Sequence, residues 1–328
     1  MPNEHNVDCA SPTNLSLAGR RVWVAGHRGM VGSALCRRLA SESCEILTIG
    51  RDEVDLRFQS KVEAWMAAKR PEFVFVAAAT VGGIHANDTR PADFLYDNLM
   101  IEANIIHTAH TLGVEKLLFL GSSCIYPREA SQPMAEDALL TGPLEPTNQW
   151  YAIAKITGIK LCQAYRRQHG CNFISAMPTN LYGIGDNFDL MNSHVLPALM
   201  VKIDRARKSG AETVEIWGSG MPRREFLYCD DLADALVFLM RHYSGESHIN
   251  VGTGIDVTVR EAAELMAEVV GFKGRFMFDA GRPDGAPRKL LDVGMLSGLG
   301  WQAQTSLKEG LEKTYRWFLE TPQGRRMG

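Results

Sequence analysis

The chain has 328 residues, 45% of them hydrophobic, enough to bury a sizeable core in one large domain or two moderate ones. Its 35 Lys and Arg against 38 Asp and Glu leave a net charge of −3, which excludes a global attraction to nucleic acid or an anionic membrane. Seven scattered cysteines, with no CxxC pair and no Cys/His cluster at ligand spacing, point to a reducing, cytoplasmic setting and no structural metal.

Residues 1–17 have neither a basic start nor a long apolar stretch and are expected to be a disordered extension. No later run approaches the ~20 apolar residues of a membrane span. From Arg21 onward, short β-rich apolar runs ("RVWVAG", "EILTI", "FVFVAA", "KLLFLGS", "NFISAM") alternate with amphipathic segments such as 31–39, 92–112 and 151–168. Near-continuous apolar strands separated by helices predict a doubly wound parallel sheet, an α/β domain covered on both faces.

The first strand runs into "GHRGMVG", where Gly26, Gly29 and Gly32 open a helix. Glycines there permit a tight turn and let the backbone approach a pyrophosphate at the positive helix N-terminus, as dinucleotides require. At the end of the second strand, near Ile49, an NAD-preferring fold usually carries an acid for the ribose 2′-hydroxyl, but "TIGRDEVDL" has Gly50 and Arg51. Arg28 and Arg51 either neutralise a 2′-phosphate together, favouring NADP, or are two solvated surface arginines. Asp55 either accepts from an adenine amino group or is an exposed turn aspartate.

After the fourth strand comes "GSSCIYP", and then "NQWYAIAKITG", in which Tyr151 and Lys155 are four residues apart on one helix face. A lysine ammonium close to a phenol is expected to lower its pKa, making it a proton donor or acceptor usable near neutral pH. With a hydroxyl from "GSSC", this is a carbonyl-reducing constellation. Cys124 and His194, read from the residues alone, are a small core residue and a helix-start residue. Beyond "MPTNLYG" the pattern loosens into a helix over 195–208, a strand "TVEIW", a loop "GSGMPRREF", a helix over 231–241 and a strand "HIN". The last helical pattern starts at Thr258 and Glu261, a capping box. The smaller second domain is therefore expected to be discontinuous: residues 18–181 with about 225–256 for the cofactor, about 182–224 with 257–328 for the substrate.

From Gly19 to about Leu319 the chain resembles the extended short-chain dehydrogenase/reductases, and within them it is similar to the GDP-L-fucose synthase family. The stretches that carry the likeness are "VAGHRGMVGSA", "VGGIHAN", "PADF", "KLLFLGSSCIYP", "LEPTNQWYAIAKITGIK", "MPTNLYG", "NSHVLPAL", "REFL" and "PDGAPRKLLDV". The glycine loop and YxxxK alone mark the superfamily; "GSSCIYP" and "NSHVLPAL" mark the family. The resemblance implies a Rossmann fold and NADPH-dependent 3,5-epimerisation and 4-keto reduction of GDP-4-keto-6-deoxy-D-mannose, by a homodimer with a four-helix interface.

It also implies site residues. Cys124 and His194 become the acid and base that invert carbons 3 and 5, whose hydrogens the 4-keto group acidifies. Tyr151 donates the proton at carbon 4, Lys155 tunes it and binds the nicotinamide ribose, and Ser122 or the adjacent Ser123 holds the carbonyl oxygen. Cofactor contacts are implied at Gly26, His27, Arg28, Gly29, Met30, Val31 and Gly32, at Arg51, Asp55 and Leu56, at Leu120, Gly121 and Ser123, and at Lys155, Pro178, Asn180, Leu181 and His194. Sugar-nucleotide contacts are implied at Asn180, Val195, Leu199, Lys202, Trp217, Arg224 and Lys289.

The chain departs from the family pattern at Thr80 (commonly lysine), Ile184 (proline), Asp189 and Leu190 (His-Pro), Lys202 (arginine) and Tyr228 (histidine). The changes before His194 bear on sugar specificity. The rival readings are a relative acting on a colitose-type GDP-4-keto sugar, a 4-epimerase that retains NAD, and a nucleotide-binding regulator without turnover.

Overall fold

The computed structural model describes residues 14–190, 193–281 and 284–320. The expected extension lies outside the described residues as far as residue 13. Its last residues are not loose: Leu17 is buried and the Leu15 N–H donates to the Arg241 carbonyl at 3.0 Å.

The first half alternates strand and helix. β1 (Arg21–Ala25) leads through α1 (Met30–Leu39) to β2 (Glu45–Leu47), and α2 (Gln59–Lys69) leads to β3 (Phe73–Val76). Next, α3 (Ile84–Thr89) and α4 (Pro91–Thr111) precede β4 (Lys116–Leu120), and α5 (Gln149–His169) precedes β5 (Phe173–Pro178). There follow β6 (Asn180–Tyr182), α6 (Val195–Ser209), β7 (Thr213–Trp217), β8 (Arg223–Tyr228), α7 (Cys229–His242) and β9 (Ile249–Val251). The chain continues through β10 (Asp256–Thr258), α8 (Val259–Val270), β11 (Arg275–Asp279), β12 (Arg288–Lys289), α9 (Gly294–Gly298) and α10 (Leu307–Glu320).

Six strands form a parallel sheet in the order β2-β1-β3-β4-β5-β9, as the apolar runs require. Alternation splits each strand between two cores. Val22 and Val24 of β1 pack with Leu35 of α1 and Leu236 of α7, whereas Trp23 and Ala25 pack with Met66 of α2, Ile105 of α4 and Ile159 of α5. The order reverses between β1 and β3, and ligands of open α/β sheets bind beyond the carboxyl ends of the strands at such a switch point.

β2 stops at Leu47, two residues short of expectation. α2 has no counterpart among the expected helices, because Val62 and Met66 are its only buried residues and no apolar stripe announces it. The capping box forms as expected: the Glu261 N–H donates to Thr258 Oγ1 at 3.0 Å and the Thr258 N–H to Glu261 Oε2 at 2.7 Å. No helix among the described residues is long and apolar enough to cross a membrane.

The second half adds two small sheets. β8 pairs antiparallel with β10 and parallel with β12 and β6, and β7 pairs with β11. Glu225 of β8 is fully buried, and its carboxylate accepts from the N–H groups of Thr253 (2.7 Å), Gly254 (2.8 Å) and Leu291 (3.0 Å). Buried charge persists when it is met by donors in this way.

A second polar knot holds the segment after β4. The Tyr126 hydroxyl donates to Asn250 Oδ1 at 2.5 Å, so its other partner, His248 Nε2 at 2.9 Å, supplies a proton to it. Asn250 Nδ2 donates to the carbonyls of Met134 (2.9 Å) and Asp292 (3.0 Å). Burial lowers the His248 pKa from 6.5 to about 4. The unfolded imidazole therefore binds a proton below pH 6.5 that the folded one refuses until about pH 4, and stability falls as pH drops through that window. The loss should reach about 3 kcal/mol at pH 4. Urea unfolding between pH 7 and 4 checks this, with His248→Asn expected to flatten the profile.

Candidate active site

The glycine turn after β1 divides three tasks. Gly26 has φ +87°, and a Cβ there would lie 2.7 Å from the Ala78 backbone just after β3. At Gly32 a Cβ would lie 2.1 Å from the Gly26 carbonyl oxygen, so that glycine lets α1 press onto the turn. Gly29 differs: its Cβ would meet nothing closer than 3.5 Å, and it is the N-cap of α1 without any side chain capping the helix. One face of the turn is thus bare backbone at a positive helix end.

Beside the turn, Arg28 Nη1 meets Asp52 Oδ1 at 2.7 Å, and a Cβ at Gly50 would lie 2.6 Å from Arg28 Nη2. The missing side chain at Gly50 leaves room for the guanidinium there. Arg51 is mostly exposed and lies 3.9 Å from the Asp55 carboxylate. That carboxylate accepts from Arg57 at 2.6 Å (Nη2) and 3.0 Å (Nε), which holds it well below the usual carboxylate range. Its strongest partner is therefore this arginine, which also reaches Asp97 Oδ1 at 2.9 Å. Thr80 closes the chain of contacts, its hydroxyl donating to Asp97 at 3.2 Å and its N–H accepted by Asn98 Oδ1 at 2.9 Å.

A cleft of about 460 Å³ runs from this turn across the carboxyl ends of the strands to α5 and the start of α6. All the residues expected around the cofactor line it, from Gly26–Gly32, Arg51, Asp55 and Leu56 through Leu120, Gly121 and Ser123 to Lys155, Pro178, Asn180, Leu181 and His194. Ser122 and Tyr151 line it as well. Asn180 is oriented by its amide, which donates to the Glu225 carbonyl at 2.8 Å.

Cys124 sits in a single 3-10 turn, Ser123–Ile125, directly after the cleft wall. Burial pushes its thiol up, while a hydrogen bond with Ser122 and the cations of Lys289 and Lys155 pull the other way. His194 is the N-cap residue of α6, its imidazole unused in capping the helix; the residue is open to solvent, and partial desolvation by the surrounding cleft lowers its pKa. The pair therefore presents a protonated thiol and a neutral imidazole at neutral pH, one donor and one acceptor.

The Tyr151–Lys155 pair departs from expectation. Burial holds the Tyr151 phenol well above its ordinary value, with the neighbouring Cys124 and Glu102 adding to the effect. Lys155 does not overcome this, because its ammonium lies 2.9 Å from the buried Glu102 carboxylate and 5.8 Å from the Tyr151 ring.

Of the residues expected at the sugar nucleotide, Arg224 and Lys289 are direct register partners on β8 and β12. Burial lowers the pKa of both, and Lys289 feels Cys124. Lys202 lies 5.1 Å over the Trp217 ring and donates to the Glu215 carbonyl at 3.3 Å. Val195 is half-buried at the start of α6, and Leu199, one turn on, is packed in the core.

Residues 22–252 match the model of the NAD dependent epimerase/dehydratase family. The chain belongs to this family. It is 58% identical over 303 residues to a GDP-L-fucose synthase of Sinorhizobium fredii, covering 92% of this chain and 96% of that one. It is 55% identical over 314 residues to the GDP-L-fucose synthase of Escherichia coli, with 93% and 98% covered. The solved structure of a GDP-L-fucose synthetase from Naegleria fowleri bound to NADP superposes with a TM-score of 0.86 at 28% identity, covering 95% of this chain and 97% of that one.

An epimerase/dehydratase of this family works with a nicotinamide cofactor, and the cleft fits one. The bare face at Gly29 is a cradle that a side chain would fill, and the uncapped N-terminus of α1 offers its N–H groups to a pyrophosphate. Three participants escaped the sequence reading. Glu102 is one acid within the apolar run "LMIEANII", a pattern that signals a buried partner. Arg57 and Glu225 carry no comparable signal: Arg57 joins the adjacent Asp55 to Asp97 on α4, and the donors to Glu225 come from distant segments.

Proposed function

We propose that the chain catalyses NADPH-dependent 3,5-epimerisation and 4-keto reduction of GDP-4-keto-6-deoxy-D-mannose, yielding GDP-L-fucose. The observation that carries this reading is Cys124, a thiol placed in electrostatic reach of both Tyr151 and Lys155. Simple carbonyl reduction has no use for a third acid-base group beside that pair. Cys124 and His194 remove and return protons at carbons 3 and 5. The nicotinamide, when bound, supplies the hydride for carbon 4. Tyr151, kept protonated by burial, gives its proton to the carbon 4 oxygen, which a serine hydroxyl of "GSSC" steadies. Arg224 and Lys289 meet the diphosphate.

Arg28 and Arg51 at the cleft lip support NADPH over NADH. The double variant Arg28→Ala/Arg51→Ala is expected to weaken NADPH binding by about a hundredfold, as befits two charged contacts, with NADH little changed. Fluorescence titration with both cofactors checks this.

The cofactor half comprises residues 18–181 with about 225–256, and the sugar half comprises about 182–224 with 257–328. A homodimer through α4 and α5 is supported by exposed Tyr96, Trp150 and Ile153 on those helices. The six described cysteines are free, which accords with the cytoplasm.

Incubation with NADPH and the 4-keto sugar nucleotide in heavy water tests the reading. Cofactor oxidation with deuterium at carbons 3 and 5 of a GDP-L-fucose product is expected. Oxidation without deuterium would leave a reductase only, and no oxidation would overturn the assignment.

A further inference from the structure

Glu102 and Lys155 are each about 2% exposed and lie 2.9 Å apart at the seam between α4 and α5. Two charges taken out of water at such a seam stabilise a fold poorly, since well-packed apolar side chains usually do as well or better. The seam is also shaped for the carboxylate. Gly158, one turn after Lys155, would with a Cβ stand 2.8 Å from Glu102 Oε2 and 2.3 Å from the Phe119 ring. A glycine inside a helix costs about 1 kcal/mol relative to alanine, and here its absent side chain is the slot in which Glu102 lies.

The surroundings define what the pair does. Lys155 Nζ is 4.7 Å from the Phe119 ring on β4 and 5.8 Å from the Tyr151 ring on its own helix. The titratable groups facing the pair are Tyr151 and Cys162 on α5 and Cys124 in the turn after β4. Among the described residues Lys155 is the one cation in the immediate field of Glu102.

We propose that Glu102 is a positioning residue, which fixes the Lys155 ammonium beside Tyr151 and holds the protons of that pair in place to higher pH. The inference deepens the reading above and rests on it for the role of Tyr151. Without the carboxylate, the buried ammonium loses its counter-charge and releases its proton more readily. The phenol, freed from a neighbouring negative charge, does the same. Both effects have one sign, so the Lys155–Tyr151 unit surrenders its first proton at lower pH whichever group yields it. Either loss leaves the cleft one charge more negative, and so less able to hold a polyanionic cofactor or to protonate a substrate oxygen.

Glu102→Gln in the full chain tests this, with Glu102→Met as a second, apolar variant should the amide not fold. Two profiles are measured against pH: NADPH binding by fluorescence, and kcat for reduction of the 4-keto sugar nucleotide. The alkaline limb of both is expected to move at least one pH unit toward acid, a tenfold change in the apparent acid constant, and Glu102→Asp should return it toward wild type. A merely structural role would lower Tm and activity evenly across pH, and limbs superposable on wild type would overturn the inference. Should the wild-type chain not turn over this sugar while the binding limb still moves, the substrate assignment fails and the role of Glu102 stands.

Discussion

Replacing Tyr151 by phenylalanine should cut cofactor oxidation by about a hundredfold to ten-thousandfold, the usual contribution of a positioned proton donor, while solvent exchange at carbons 3 and 5 continues. The substitution removes one oxygen and keeps the ring, whose edge packs against Phe94 with centroids 6.4 Å apart, so the first turn of α5 should hold. The lost hydroxyl is the one that burial keeps protonated in the free protein. Without it, the alkoxide formed at carbon 4 has no proton source in place. In the proposed mechanism the enolate steps upstream draw on Cys124 and His194, so the substitution should leave them untouched. Absorbance of NADPH and deuterium incorporation, followed on the same sample, separate the two halves. A variant that oxidises NADPH at the wild-type rate removes Tyr151 from the mechanism.

The complementary variant is Cys124→Ser, for which exchange at carbons 3 and 5 is expected to fall by about a hundredfold to ten-thousandfold, with NADPH affinity unchanged. Serine is nearly isosteric, and its turn is held from behind by Tyr126 through His248 and Asn250, so the fold should persist. What changes is acidity. Burial pushes the Cys124 thiol up while the cations of Lys289 and Lys155 pull the other way, so it can still trade a proton with an acidified carbon. An aliphatic alcohol cannot. Deuterium uptake into the recovered sugar nucleotide is the measurement, and wild-type exchange in the serine variant would return Cys124 to an ordinary turn residue.

The contrast between these residues and those the sequence concealed follows a physical line. Strands buried on both faces must be apolar throughout, so β1, β3, β4 and β5 are legible as runs, and the glycines at 26 and 32 are legible because the turn admits nothing larger at either place. Tyr151 and Lys155 are legible because four residues make one helical turn. Cys124 and His194, by contrast, carry no local pattern; a family likeness alone singles them out, and the structure then supplies their electrostatic setting. The error over the Tyr151 pKa has the same origin. Spacing along α5 places Lys155 near the phenol, but the phenol's burial, which dominates its pKa, and the Glu102 carboxylate from α4 both come from packing that no periodicity within α5 can reveal. α2 escaped because a helix that buries two side chains leaves hardly any stripe to read.

Glu225 has a wider consequence. Its one carboxylate takes N–H groups from the loop after β9 and from Leu291 just beyond β12, while its own strand carries Arg224. The main sheet, the strand bearing Arg224 and the segment bearing Lys289 are thereby indexed to a single point. The span between the nicotinamide end of the cleft and the proposed diphosphate cations then behaves as a fixed ruler. With the diphosphate on Arg224 and Lys289, as proposed, a sugar nucleotide would be gauged by length before any of its hydroxyls is read.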